Sequence, residues 1–457
     1  MQDGEIQPEI HALIEAKSFA TLKSALSKME VHDLAELLAG LEGEELALCF
    51  RLLAQDRAAE MLGDLEPERQ EELLTTLSSE KVAAILNEMP PDDRTELLEE
   101  LPGELAQRLL RGLRGEELKI ARSLLAYPED SIGRLMTPEY VAIRPGWTVD
   151  EVFEHIRSVG PEKETLNVLY VTDDRGKLLG EVRLEELVLA DRSLRAQDLM
   201  EEAPGALVAA DDEENAVEIF KKYDAVALPV INTQGILVGI VTVDDVLDVA
   251  EEEVTEDFQK MVGVQPLEYS YLGTGFLKMF RKRIPWLALL LAAQSLTTVA
   301  LIGFHTIPLF VVLVMFVPLI NSPAGNTGSQ VAGLMIRSLA LQEVNLADWR
   351  RVLLREVAHG LSLGVVLGAL GYAAAFFFAG LVGTGSYRPQ HIALSVAAAM
   401  AVAVTLANLV GSMLPFFFKR IGLDPAVTSG PFIASLMDVS GIMIYFSIAT
   451  AVFAGLA

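Results

Sequence analysis

Five runs of about 20 or more apolar residues fill the last third of the chain, roughly Ile284–Phe304, Pro308–Ala340, Leu353–Val382, His391–Phe418 and Pro425–Ala457. A helix of about 20 apolar residues matches the ~30 Å hydrocarbon core of a bilayer. In hydrocarbon every backbone polar group must be satisfied within the protein, which restricts such runs to helices. Two of the five exceed a straight crossing, which predicts tilt, breaks or projecting ends. Charge separates this third from the rest. Five acidic and seven basic residues follow position 283, leaving 59 acidic against 29 basic residues up to and including it. The expected fold is therefore an α-helical membrane protein of five transmembrane helices in a lipid bilayer, carrying a soluble, acidic region.

Lysine and arginine set the orientation expected of the spans. Arg281-Lys282-Arg283, Arg337, Arg350, Arg351, Arg355 and Lys419-Arg420 all fall on one side. The other side receives His305-Thr306-Ile307, Gly383–Gln390 with Arg388 alone, and an uncharged C-terminus. The acidic region and N-terminus are thus expected in the cytoplasm and the C-terminus outside, in a multi-pass plasma (inner) membrane protein. The polar opening Met1–Ile10 has no signal-peptide character. A net charge of -28 excludes the basic footprint that nucleic-acid binding needs and favours cations. Cys49 is the single cysteine, so no internal disulfide forms, and its apolar neighbours make it a buried small hydrophobe.

Within the spans, ionisable groups are costly and tend to line cavities. Asp438 is the carboxylate expected deep in a span. It lies 14 residues after Asp424, roughly 21 Å along a helix at 1.5 Å per residue, near the midplane if Asp424 sits at the surface. The second span contains Asn321-Ser322-Pro323-Ala324-Gly325-Asn326-Thr327-Gly328-Ser329-Gln330, and the fifth Ser429-Gly430-Pro431. Both read as interruptions whose freed carbonyls line a pathway.

From about residue 35 to 125 the sequence repeats with a period of 24: Met61-Leu62, Pro67 and Leu73-Leu74 return as Ile85-Leu86, Pro91 and Leu97-Leu98. Each unit reads as two short helices, and stacked units make an α-solenoid with acidic outer faces. A longer duplication follows. Leu135-Met136 returns as Leu199-Met200, and Asp174–Gly180 returns as Thr233–Gly239, each after an apolar run, Val168–Val171 or Ala227–Ile231, that fits a buried strand. With the strand-to-helix end Val241-Thr242-Val243-Asp244-Asp245, this resembles an α/β tandem pair of CBS modules. Such pairs often hold adenosine nucleotides such as ATP, with Asp244 or Asp245 as the ribose contact implied here, while many others serve only a structural or dimerising role. Residues Asp245–Phe280 then read as one long helix, acidic early and basic late. Like charges three or four apart on one helix face repel, as Asp245 and Asp248 do, and Asp92 and Glu96 in the solenoid; a divalent cation among them removes that cost.

The expected organisation is a solenoid over 1–131, the CBS pair over 132–249 (modules about 136–198 and 199–249), a connecting helix over 250–283 and the pore domain over 284–457. This order is similar to the MgtE family of magnesium channels. So are Leu135-Met136-Thr137-Pro138-Glu139-Tyr140-Val141, Val241–Asp248, Gly325-Asn326-Thr327-Gly328 with Gln330, Ala407-Asn408-Leu409-Val410-Gly411 with Leu414-Pro415, and Asp438-Val439-Ser440-Gly441. The resemblance implies a homodimer whose pore runs between the second and fifth spans of both subunits, with Asp438 at the selectivity site and backbone carbonyls near Ala434 assisting hydrated Mg²⁺. It further implies that cytosolic Mg²⁺ closes the pore through Glu60, Asp92, Glu96, Asp212, Glu214, Asp224, Asp245, Asp248, Glu253 and Glu256, with Asp424 at the pore mouth. The chain departs from the family pattern Gly-Gly-Asn-Thr-Gly-Asn-Gln at Ala324 and Ser329, and has Gly430-Pro431 for Asn-Pro.

Two other readings fit the same residues: conduction of another divalent cation (Co²⁺, Mn²⁺, Ca²⁺), and a nucleotide-sensing membrane receptor anchored by its spans. Catalysis is not expected. No nucleophile elbow, phosphate loop or metal-ligating His pair is present, and the six histidines are scattered.

Overall fold

This computed structural model describes residues 6–454 except 42, 64, 66, 204, 268–270, 272–273, 308 and 383–387. Pro308, most of the outer segment Gly383–Gln390 and the expected end of the fifth span at Ala457 lie outside the described residues, as do the first five residues. The chain divides into two compact units, one built on residues up to 253 and the other on 254–267 and from 274 onward.

The first unit opens with α1 (Ile6–Glu15), α2 (Phe19–Leu26), α3 (Val31–Ala39), α4 (Gly43–Leu52), α5 (Gln55–Gly63), α6 (Pro67–Thr76), α7 (Ser79–Glu88), α8 (Pro91–Glu100), α9 (Gly103–Leu110) and α10 (Gly115–Leu124). Helix starts at 43, 67, 91 and 115, and at 31, 55, 79 and 103, make the 24-residue repeat a pair of twelve-residue helical steps. Proline opens α6 and α8, where its missing N–H costs nothing. The repeated pairs Met61-Leu62, Leu73-Leu74, Ile85-Leu86 and Leu97-Leu98 are all buried in one core. Side chains repeat their bonds too. Arg57 donates to the Met29 carbonyl at 2.6 Å and Lys81 to Leu53 at 3.1 Å. Gln70 donates to Leu62 at 3.0 Å and Arg94 to Leu86 at 3.1 Å. Cys49 is fully buried, and burial, helped by Glu45, pushes its thiol up to about 12.

The same unit continues through α11 (Ile132–Leu135), β1 (Ala142–Ile143), α12 (Val149–Val159), β2 (Val168–Thr172), β3 (Leu178–Arg183) and α13 (Leu184–Leu189). The order returns as α14 (Ala196–Leu199), β4 (Leu207–Val208), α15 (Glu214–Tyr223), β5 (Ala227–Ile231), β6 (Leu237–Thr242) and α16 (Val243–Met261). Each half forms a three-stranded sheet with one parallel and one antiparallel pairing and a register shift near the end of its central strand. The modules exchange their openings: Thr137 bridges to Ile240 on β6, and Glu201 to Glu181 on β3.

The connecting helix is shorter than its charge pattern suggests. α16 stops at Met261, where Gly263 takes φ +77 and the N–H groups of Gly263 and Val264 return to the carbonyls of Lys260 and Gln259. That pair of bonds is a Schellman stop, and a left-handed φ is one that glycine adopts freely.

The second unit contains α17 (Phe276–Phe304), α18 (Phe310–Val314), α19 (Val317–Ala340), α20 (Trp349–Val382), α21 (Pro389–Arg420) and α22 (Gly430–Ala454). Its five spans, with α18 and α19 joined as one, are helices long and apolar enough to cross a membrane. Neither expected interruption is a break. α19 runs unbroken through Asn321–Gln330, because Pro323 withdraws only one N–H from the ladder; the discontinuity lies earlier, between α18 and α19. Ser429-Gly430-Pro431 is where α22 begins: the Ser429 hydroxyl accepts the Phe432 N–H, and Pro431 sits in the first turn. Residues Pro425–Val427 form a 3-10 turn, so Asp424 is not on the helix of Asp438 and the 14-residue helical ruler fails.

Candidate ion pathway and cation sites

α19 and α22 lie antiparallel and meet at three levels. Ser329 Oγ donates to the Gly430 carbonyl at 3.0 Å. Gly325 faces Ala434, whose atoms would lie 3.5 Å from any Cβ there. Asn321 Nδ2 donates to the Asp438 carbonyl at 3.1 Å, and the carboxyl of Asp438 is hydrogen-bonded by the side chains of Gln294 on α17 and Asn321. Gly441, one turn on, leaves room for the Asn321 amide at this crossing, since a Cβ there would force the Asn321 amide oxygen to shift. Ala434 lies one turn before Asp438, with its carbonyl inside the helical ladder. Asp438 is half-buried, and Ser322, Asn326 and Gln330, spaced four apart on α19, are exposed in the chain. An apolar helix pair therefore carries a carboxylate held by amides beside an uncovered polar stripe.

A second membrane carboxylate was not anticipated. Glu356, early in α20, is buried at 7% exposure and accepts from Asn408 Nδ2 at 2.8 Å; the same amide donates to the Glu356 carbonyl at 2.9 Å. His359 Nδ1 lies 3.5 Å from its other oxygen. The bonds join α20 to α21.

At the start of the fifth span, Asp424 Oδ1 caps the 3-10 turn by accepting the Ala426 N–H at 2.7 Å. Its Oδ2 lies 2.7 Å from Lys260 Nζ, which also contacts Glu256 one turn earlier on α16. Burial pulls the Lys260 ammonium down, but the hydrogen bonds it donates to Asp424 and Glu256 outweigh that and hold the group above its ordinary range.

In the first unit, carboxylates of α8 oppose those of α16. Asp92 is buried, one of its oxygens has no hydrogen-bond partner among the described residues, and burial with repulsion from Asp245, Asp93 and Glu164 holds its carboxyl well above the usual range. Glu96 is pushed up to about 8 by burial and by Glu100, Glu252, Asp93 and Asp248. Asp245 is pushed up to about 7 by burial, against its hydrogen bonds from Thr242, with Asp244 and Asp93 adding to the rise. Carboxylate oxygens of Glu96, Glu100 and Glu252, three residues at the exposed edge of this group, all lie within 4.8 Å of one another. Glu213 is pushed up to about 8 by burial and by Asp130, Glu252, Glu99 and Glu253. Crowded oxygen donors with an unmet lone pair are a donor set a hard divalent cation accepts.

The structure thus gathers Asp92, Glu96, Asp245 and Asp248, and sets Glu253 against Glu213. Glu60 lies exposed on α5 and is not a principal neighbour of this group. Asp212 accepts the Glu214 N–H at 3.0 Å at the start of α15, whereas Asp224 is exposed at its far end with φ 48. Ten helical residues separate them, about 15 Å. Asp245 caps α16 by accepting the Thr242 N–H at 3.4 Å and also accepts from Thr242 Oγ1 at 2.7 Å, whereas Asp244 is exposed. Sequence reasoning missed Asp93, Glu100, Glu213, Glu252, Lys260, Gln294 and Glu356. Glu100 was reachable as the next i+4 step after Asp92 and Glu96; Glu213 and Gln294 carried no local signal.

The family profile for a "Divalent cation transporter" matches residues 317–448, that for the "MgtE intracellular N domain" matches 12–130, and CBS domain profiles match 132–193 and 196–252. The magnesium transporter MgtE of Thermus thermophilus is 40% identical over 329 residues, 72% of this chain and 71% of its own length. That of Enterococcus faecalis is 32% identical over 73% of this chain and 72% of its own length. Among solved structures, the cytosolic domain of the Mg²⁺ channel MgtE in complex with ATP is 36% identical with a TM-score of 0.51, covering 53% of this chain and all of that one. The soluble part of a magnesium transporter, 24% identical with a TM-score of 0.52 over 55% of this chain and 99% of that one, shares the fold.

Proposed function

The chain belongs to the MgtE family of magnesium transporters, and from that premise we propose that it conducts Mg²⁺ into the cell across the plasma membrane, with its acidic first unit in the cytoplasm. The observation that carries this reading is Asp438, a carboxylate held by Asn321 and Gln294 at the crossing of α19 and α22, beside the exposed stripe Ser322, Asn326 and Gln330. A homodimer with a twofold axis along the membrane normal brings two such stripes and two Asp438 carboxylates together, matching one divalent cation in charge. Mg²⁺ dehydrates reluctantly, so contact is through its water shell. Asp438→Ala should abolish Mg²⁺ uptake into proteoliposomes while leaving the dimer intact; normal uptake by that variant refutes the pathway. Co²⁺, Mn²⁺ or Ca²⁺ carried in preference to Mg²⁺ refutes the ion.

Internal Mg²⁺ closes the pore. In this reading Asp92, Glu96, Asp245 and Asp248, joined by Glu100 and Glu252, hold the ion between α8 and α16. Without it these carboxylates repel, and a ligand that binds the compact arrangement alone shifts the population towards it. An adenine nucleotide is a second regulatory ligand at the CBS pair. The support is the relative's cytosolic domain crystallised with ATP and the exposed Asp244 beside the capped strand end.

A further inference from the structure

Two of the carboxylates that the family pattern assigns to magnesium, Glu256 and Asp424, already share a cation supplied by the chain. Lys260 Nζ is 2.7 Å from Asp424 Oδ2 and in contact with Glu256. All three groups belong to the second unit. None is freely solvated: the side chain of Lys260 is 26% exposed, that of Asp424 33% and that of Glu256 37%. Nor can Asp424 turn away without loss, since its other oxygen caps the 3-10 turn that leads into α22, the helix of Asp438. The same end of α16 is held by packing. The Gly263 backbone closes on the Trp286 indole, the Trp286 and Phe432 rings lie tilted at 39° with centroids 6.5 Å apart, and Met261 reaches Gly333 of α19.

We propose that Lys260 is a positioning residue, a built-in cation that latches the end of the connecting helix to the start of the fifth span through Glu256 and Asp424. Seating of residues 254–267 then needs no divalent ion, and a divalent ion takes the Glu256–Asp424 site only by displacing the ammonium. A lysine brings one positive charge to two negative ones, so the latch leaves one charge uncompensated and remains exchangeable. An incoming divalent cation neutralises both carboxylates but has to release the ammonium into water. The proposal rests on the reading of this chain as a magnesium-closed pore only for its effect on flux; the latch itself does not require transport.

The test is hydrogen exchange on the full-length chain in lipid nanodiscs, following amides of 254–267 in EDTA and in Mg²⁺. Wild type should be protected in EDTA. Lys260→Met and Asp424→Asn should each lose about tenfold or more of that protection, the scale of a hydrogen bond to a charged group, and Lys260→Arg should keep it. Mg²⁺ should restore protection to Lys260→Met, which retains both carboxylates, but not to Asp424→Asn. Unchanged protection of strands 168–172 and 227–231 shows that the variants fold. A wild-type segment that exchanges in EDTA as fast as Lys260→Met overturns the latch, and so does a Lys260→Met segment as protected as wild type. Failure of Mg²⁺ to restore Lys260→Met overturns the displacement. Because no flux is measured, these outcomes are separate from loss of the transport reading.

Discussion

Asn321 on the second span donates its amide to the Asp438 carbonyl on the fifth at 3.1 Å, from 117 residues away in sequence, and bonds the carboxyl of the same residue. One side chain thus sets both the position of the helix and the direction of its charge. Asn321→Leu keeps the volume and removes both bonds. A hydrogen bond to a charged group is worth about 1.5–3 kcal/mol, so Mg²⁺ flux into proteoliposomes should fall about tenfold or more while the dimer still forms. Gly441→Ala, which drives a methyl into the same amide, should lower flux in the same direction.

Closure should depend on pH. Burial and mutual repulsion push Asp245 up to about 7 and Glu96 and Glu213 up to about 8. The compact unit therefore holds protons that separated carboxyls, with ordinary values near 4, have lost. By linkage its stability without Mg²⁺ falls as pH rises from about 4.5 to 8. Magnesium must displace those protons, so its apparent affinity rises over the upper part of that range. The internal Mg²⁺ needed for half-closure should be about tenfold higher at pH 6.5 than at pH 8.5, measured by single-channel recording.

Neutralising Asp92 together with Asp245 should separate stability from regulation. The double variant Asp92→Asn/Asp245→Asn removes two carboxyls that burial and crowding keep from ionising freely, and with them the cost of protonating or charging them on compaction. Its first unit should therefore melt higher than wild type in EDTA. The Mg²⁺-induced rise in melting temperature should shrink, and the channel should leak at high internal Mg²⁺. Unchanged closure counts against this gate.

Arg94 should prove structural. It is fully buried on α8, pairs with Glu117 at 2.6 Å and donates to the Leu86 carbonyl. Arg94→Met leaves those groups unmet at a cost of about 2–3 kcal/mol, below the figure for a fully buried pair because Glu117 is 33% exposed. Faster amide exchange across α8 in both EDTA and Mg²⁺ would report it.

Legibility followed distance along the chain. The starts at Gly43, Pro67, Pro91 and Gly115 repeat because each step is a local helix with its own stop, so the 24-residue period was visible. Polar residues in the second span were visible too, but their reading as a break was not supported. Pro323 takes one donor from a ladder that α19 otherwise completes, and packing against α21 and α22 holds the helix straight through. The end of α16 at Met261 was missed because a charge pattern continues past it, while the left-handed Gly263 ends the helix by backbone bonding.

The sequence alone determined the five spans, the two duplications, the acidic character of the first unit and the candidacy of Asp438, because backbone periods and solvation costs are properties of neighbouring residues. The tertiary structure decided which charges share space: Glu96 with Glu100 and Glu252, Glu356 with Asn408, and Lys260 between Glu256 and Asp424. Electrostatic energy depends on separation in space and on burial, and residues far apart in the chain carry no trace of either until the helices pack.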